Sequence, residues 1–223
     1  MSRTNKVERY KQVATLPNVT ILQHYRPGDH AAVRGNWHRV FSNNNPITLE
    51  LACGKGEYSL GLAAMNPEHN YIGIDIKGDR LWKGAQTALD QHLPNVHFLR
   101  ARIDHLTNYF APGEIAGIWI PFPDPFLRKT RIRKRLTHEV FLQRYSDVLL
   151  PDAQLHLKTD SPTLYEFTLQ TLAELGHTVL EKHDNLYRLS ELSEELSIQT
   201  YYERQHLAAG RTIRYIRFRL RTP

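Results

Sequence analysis

Residues Ile47–Gly56 read ITLELACGKG, a short apolar run that carries an acid near its end and opens into a turn of small residues. The run Ile47–Leu51 suits a buried strand, and the segment after Gly56 has helical length. Glycines at a strand-to-helix turn let the backbone approach a ligand, and the helix N-terminus supplies free N–H donors. The alternation then repeats: apolar runs at Tyr71–Ile74, Val96–Leu99, Ile115–Ile120 and Gln154–Leu157 are spaced by segments of helical length. Such a chain is predicted to be α/β and Rossmann-like. It should form a mostly parallel twisted sheet with helices on both faces and ligands at the carboxyl ends of the strands.

Two helices are legible in detail. Ser161-Pro162 gives an N-cap followed by proline at the first helical position, with Leu164, Phe167, Leu172 and Leu175 on one face. Phe141, Tyr145, Val148 and Leu149 form a similar stripe after Thr137, with Pro151 beyond its end. The tail Ile213–Arg221 reads IRYIRFRLR. Its period-2 pattern predicts an antiparallel C-terminal strand with Arg217, Arg219 and Arg221 on one face, either a charged edge or a surface for phosphates.

A chain of 223 residues is long enough for one domain with its own core. Residues 1–45 are polar and mildly basic, with turn formers at Pro27-Gly28-Asp29 and Ser42–Pro46. They are predicted to be an arm appended to a domain spanning 46–223. Cys53 is the only cysteine, and no pair among the 12 histidines has the spacing of a zinc helix. Disulfides and a metal site are therefore not expected. No apolar run approaches membrane-spanning length and no signal segment is present, so a cytoplasmic protein, monomer or homodimer, is expected.

The net charge of +6 is modest, but its placement is not. Pro121–Arg135 reads PFPDPFLRKTRIRKR, and six of the eight residues from Arg128 to Arg135 are basic. An apolar strand thus ends on Asp124, held between Pro123 and Pro125, beside a dense cationic segment. That pattern suits a polyanion docked over a catalytic pocket, because phosphate contacts position a nucleic acid without reading its sequence.

The turn after the first strand is not a dinucleotide fingerprint. Ala52 stands at its first glycine, and Tyr58-Ser59 occupy the region of its third. Glu50 ahead of the turn disfavours a pyrophosphate by charge and better suits a cationic or neutral cofactor, such as S-adenosylmethionine, with Gly54 and Gly56 giving backbone access. Asp75 ends the next strand, where an acid would bind ribose hydroxyls.

TLELACGKG, YIGIDIKG, PFPDPFLRKTRIRKRLTHEVFL, LHLKTD and TYYERQ together resemble the bacterial tRNA (guanine-N7-)-methyltransferases, collinearly from Leu49 to Arg204. The resemblance implies a Rossmann-like methyltransferase fold and methyl transfer from S-adenosylmethionine to N7 of a variable-loop guanosine in tRNA. It maps cofactor contacts onto Glu50, Asp75, Arg102 and Asp124, and substrate contacts onto Arg128, Asp160, Thr200 and Glu203. The chain departs from the family pattern at Ala52 (usually glycine), Arg102 (Asp or Asn) and Arg128 (lysine).

Guanine N7 carries a lone pair and no proton, so its methylation needs alignment rather than a general base. This accounts for the absence of any nucleophile or acid–base dyad, and Asp124 is the candidate catalytic residue. Structural readings stay open beside these. Asp160 can serve as a helix-entry residue, and Thr200 with Glu203 has the spacing of a capping box. Tyr201, Tyr202 and the three tryptophans are candidates for stacking on bases. Other functional readings are a methyltransferase of another nucleic acid, a catalytically silent RNA-binding protein and, more distantly, a nicotinamide-dependent oxidoreductase.

Overall fold

The computed structural model describes residues 5–22 and 29–221. Pro27 and Gly28 of the expected turn lie outside them. In chain order the elements are α1 (Lys6–Gln12), β1 (Val19–Leu22), α2 (Trp37–Phe41), β2 (Ile47–Leu51), α3 (Glu57–Met65), β3 (Asn70–Asp75) and α4 (Gly78–Asp90). There follow β4 (Val96–Ala101), α5 (Leu106–Tyr109), β5 (Ile115–Pro121), α6 (Glu139–Ser146), β6 (Leu149–Thr159), α7 (Pro162–Glu174), β7 (Thr178–His183), α8 (Glu194–Ser197), α9 (Tyr201–Ala208) and β8 (Arg214–Arg219).

The strands form one sheet in the order β1-β4-β3-β2-β5-β6-β8-β7. Pairings from β1 to β6 are parallel, and β8 runs antiparallel to both β6 and β7. From β2 the chain steps outward to β3 and β4, then returns to place β5 on the other side of β2. The carboxyl ends of β2 and β5 therefore flank the switch point where ligands of such sheets bind.

Alternate residues of each strand feed two apolar layers, as the pleat requires. Leu49, Leu51, Ile72, Ile74, Ile118 and Ile120 join α2, α5, α6 and α7 in one layer. Tyr71, Phe98 and Trp119 meet α3 and α4 in the other. Ser161 caps α7 as expected, accepting from the Leu164 N–H at 3.2 Å, with proline in the first turn. Its buried face runs through Leu164, Tyr165, Thr168, Thr171 and Leu172. Leu175, expected in the stripe, lies at the helix end and is exposed, because Gly176 turns the chain away.

Where the residues expected as an arm are described, they pack on the sheet: β1 pairs with β4, Val13 is buried, and the fully buried Trp37 stacks on Phe110 with ring centres 5.3 Å apart. The indole N–H of Trp37 also donates to the Tyr109 carbonyl at 3.0 Å. A four-residue strand in a polar stretch leaves too short a pattern to read. The tail strand β8 is not an edge, because β7 lies outside it. Arg217 pairs with Glu181 at 3.0 Å and Arg219 with Asp152 at 2.7 Å, so both arginines are used within the sheet.

If residues before 46 are part of the core, Trp37→Ala should cost ~3–5 kcal/mol of stability. Urea unfolding checks this, and a loss under ~1 kcal/mol would restore the appended-arm reading.

Candidate active site

The turn between β2 and α3 bends through three left-handed residues, Ala52 (φ 53°), Gly54 (φ 59°) and Gly56 (φ 70°). A Cβ on Gly56 would collide with the Phe98 ring, whereas one on Gly54 would meet nothing within 4 Å. Gly56 thus seats the turn on the sheet, and Gly54 presents bare backbone to open space. Ala52 holds a conformation that glycine adopts without cost, which accounts physically for the family's usual residue there.

Asp75 fastens this turn to the end of β3. One carboxylate oxygen accepts from the Gly54 N–H at 2.9 Å and the other from the Lys77 N–H at 2.8 Å. Glu50 lies beneath, 2% exposed. Its Oε2 accepts from the backbone N–H and the hydroxyl of Ser59, both at 2.7 Å, while Oε1 is buried without a partner. Burial pushes the Glu50 carboxyl up from 4.5 to about 8, against the pull of the Ser59 bonds.

These groups open onto a cleft of about 1320 Å³ along the carboxyl ends of β2 to β6. Of the residues singled out in the sequence, Glu50, Gly54, Asp75, Arg102, Asp124, Asp160 and Thr200 line it, and Gly56, Arg128 and Glu203 do not. Arg128 stands exposed at the start of a 3₁₀ segment, Lys129–Lys134. The Arg102 guanidinium reaches solvent and pairs with Asp104 at 3.0 Å.

Asp124 is exposed and forms no hydrogen bond or ion pair among the described residues. Both aromatic neighbours are left-handed, Phe122 at φ 51° and Phe126 at φ 41°. Such strain costs roughly 1–3 kcal/mol per residue and persists only where the surroundings enforce it. Asp160 is held by Arg211 at 2.7 Å, with His206 at 3.5 Å. Ser161, not Asp160, caps α7.

Thr200 caps α9 by accepting from the Glu203 N–H at 3.1 Å, which is half of the capping box. The other half is absent. The fully buried Glu203 carboxylate instead meets Lys158, also fully buried, at 2.5 Å, and accepts from the Tyr187 hydroxyl at 2.9 Å. Tyr201 and Tyr202, exposed at the rim, lie against cations of the opposite wall. The Lys55 ammonium is 4.5 Å from the Tyr201 ring centre, and the Arg80 guanidinium 5.6 Å from that of Tyr202.

Of the three tryptophans only Trp82 lines the cleft. Trp37 is in the core, and Trp119 is stacked between Tyr58 at 4.6 Å and His156 at 3.9 Å. The basic run is also divided. Arg131, Arg133 and Lys134 are exposed, but Arg135 is buried beneath the Asp124 loop. Sequence reading missed Arg9, Lys77, Arg80, His206 and Arg211 as cleft residues. No local pattern marks them, since α1, α4 and α9 converge only in three dimensions. Among the described residues no cluster of His, Cys, Asp or Glu could hold a metal ion, and no helix is long and apolar enough to cross a membrane.

The switch-point cleft, with an acid-led turn on β2 and an acid ending β3, defines a Rossmann-like methyltransferase. A family model described as "Putative methyltransferase" matches residues 44–216. The chain belongs to that family and, within it, to the bacterial tRNA (guanine-N(7)-)-methyltransferases. The protein of that name from Christiangramia forsetii is 44% identical over 224 residues, covering 99% of this chain and 100% of its own. Its namesake from Porphyromonas gingivalis is 48% identical over 217 residues, 94% of this chain and 87% of the relative. Among solved structures, the 16S rRNA methyltransferase KamB shares the fold. It has a TM-score of 0.66 at 16% identity, over 91% of this chain and 99% of its own.

The proton on Glu50 gives a pH test. With a folded value near 8 against 4.5 unfolded, its contribution to stability is full below 4.5 and lost as pH rises through 8. Between about pH 5 and about pH 9 the wild type should therefore lose stability relative to Glu50→Gln. Thermal unfolding of both proteins measures this, and parallel pH curves would contradict the buried, protonated carboxyl.

Proposed function

We propose that this chain transfers a methyl group from S-adenosylmethionine to N7 of a guanosine in tRNA, the one in the variable loop, forming 7-methylguanosine in the cytoplasm. The observation that carries the reading is Glu50 Oε1, a buried acceptor without a partner at the floor of the cleft. A carboxyl so desolvated stays protonated until a cation meets it, and the ammonium of the aminoacyl arm of S-adenosylmethionine is a partner that would ionise it. The cofactor's other end fits the same wall, with Asp75 for ribose hydroxyls and Gly54 for close backbone approach. Arg102 is assigned to the adenine, by stacking or through its guanidinium, which donates and cannot accept.

S-adenosylmethionine, when bound, supplies an electrophilic methyl carbon on a sulfonium. Glu50, Asp75 and Gly54 would hold the donor and Asp160 the guanine, so that the N7 lone pair would face the methyl carbon and the electrons of its old bond would stay with sulfur. No proton moves, so the chain needs no general base. The purine becomes cationic, and the free carboxylate of Asp124 stabilises that charge at the end of β5. Asp160, oriented by Arg211, accepts from the guanine N1 and N2 hydrogens. Thr200 borders the nucleoside, and Glu203 acts through the helix it anchors. Arg128 and the exposed basic residues after it take phosphates. The names of the relatives favour this reading over methylation of another nucleic acid, silent RNA binding or hydride transfer.

Asp124→Ala should lower methyl transfer to unmodified tRNA by about a hundredfold or more, with tRNA affinity kept within a few fold, because phosphate contacts dominate affinity. A filter assay with methyl-labelled cofactor measures this, and wild-type turnover would remove Asp124 from the mechanism. Neutralising Arg131 and Arg133 should flatten the salt dependence of tRNA binding by ~0.7–0.9 log units per lost phosphate contact. An unchanged slope would make them a solvated face.

A further inference from the structure

Arg135 closes the most basic stretch of the chain, yet its side chain is withdrawn from solvent, 3% exposed. Its Nε donates to the Pro125 carbonyl at 2.9 Å and its Nη2 to the Phe126 carbonyl at 3.3 Å. The guanidinium carbon lies over Phe167 of α7, 4.4 Å from the ring centre. The two carbonyls it grips directly follow Asp124 in the chain, and Phe126 is one of the two left-handed residues there. On the other side, the Phe122 N–H donates to the Lys158 carbonyl at 2.8 Å. The Asp124 carboxylate has no side-chain partner to fix it among the described residues, so its direction depends on the backbone held at these two points.

We infer that Arg135 is a positioning residue for the methyl transfer: it locks the strained Pro125–Phe126 peptide and thereby aims Asp124, rather than binding RNA phosphate. The inference rests on the role proposed for Asp124. A planar fork with two donors on two neighbouring carbonyls and its carbon over an aromatic ring is a geometry that lysine, a point charge, cannot reproduce. A misplacement of about 1 Å can cost on the order of a hundredfold in rate.

The experiment compares Arg135→Lys and Arg135→Ala with wild type in three measurements: single-turnover methyl transfer to unmodified tRNA, equilibrium binding of S-adenosylmethionine, and the salt dependence of tRNA binding. Both variants should slow transfer by about tenfold or more, keep cofactor affinity within about twofold, and leave the salt slope unchanged. If Arg135→Ala does not fold, Arg135→Lys carries the test, since it keeps the charge and most of the stem. Full activity of Arg135→Lys, or a slope flattened by ~0.7–0.9, would overturn the inference in favour of a phosphate contact. Loss of cofactor binding along with activity in a folded variant would overturn it in favour of a general structural role. Asp124→Ala separates the two readings. If that variant is inactive while Arg135→Lys is fully active, only this inference fails, whereas an active Asp124→Ala removes the role both rest on.

Discussion

The Phe98 ring is the constraint around which one wall of the cleft is built. It is fully buried on β4, and three glycines from different elements exist to make room for it. A Cβ on Gly56 or Gly84 would collide with the ring, and one on Gly73 would come within 3.0 Å of it. The turn, β3 and α4 therefore close onto one aromatic face. That seating puts the N-terminus of α3 and the bare backbone of Gly54 at the cleft and leaves Glu50 buried beneath them. The second glycine of the G-x-G turn thus serves packing, and the first leaves bare backbone facing the cleft.

The facing wall is held by a buried charge pair as well as by apolar contact. Lys158 meets Glu203 and donates to the carbonyls of Leu196 at 3.1 Å and Ile198 at 3.3 Å. One ammonium thus joins β6 to the chain leading into α9, where Thr200 and Tyr201 border the cleft. Burial lowers the Lys158 pKa, and the carboxylate of Glu203 opposes that shift. Desolvation of such a pair offsets much of its attraction, so it specifies the position of α9 more than it adds stability. The Asp124 loop lies between the walls, strained at Phe122 and Phe126 and gripped by Arg135.

Much of this was legible in sequence, for physical reasons. Buried parallel strands read as short apolar runs, and β2, β3, β4 and β5 fall where those runs lie. The cap at Ser161 is a local hydrogen bond and was visible as such. β1 and β7 were not, because one is four residues long and the other is half-exposed without periodic apolar residues. Thr200 and Glu203 show the limit most clearly. Their spacing spells a reciprocal cap, and the backbone half forms, but Lys158, distant in sequence, takes the carboxylate. Arg135 is the same case: a cation in a cationic run reads as solvent-facing until Pro125, Phe126 and Phe167 are brought around it.

Alignment of N7 of a tRNA guanosine with a methyl donor in this cleft is open to a direct measurement: the purified wild-type protein is incubated with unmodified tRNA and methyl-labelled S-adenosylmethionine, the RNA digested and the labelled nucleoside identified by mass spectrometry. The expected product is 7-methylguanosine. Label in any other nucleoside, or tight tRNA binding with no label, would contradict it.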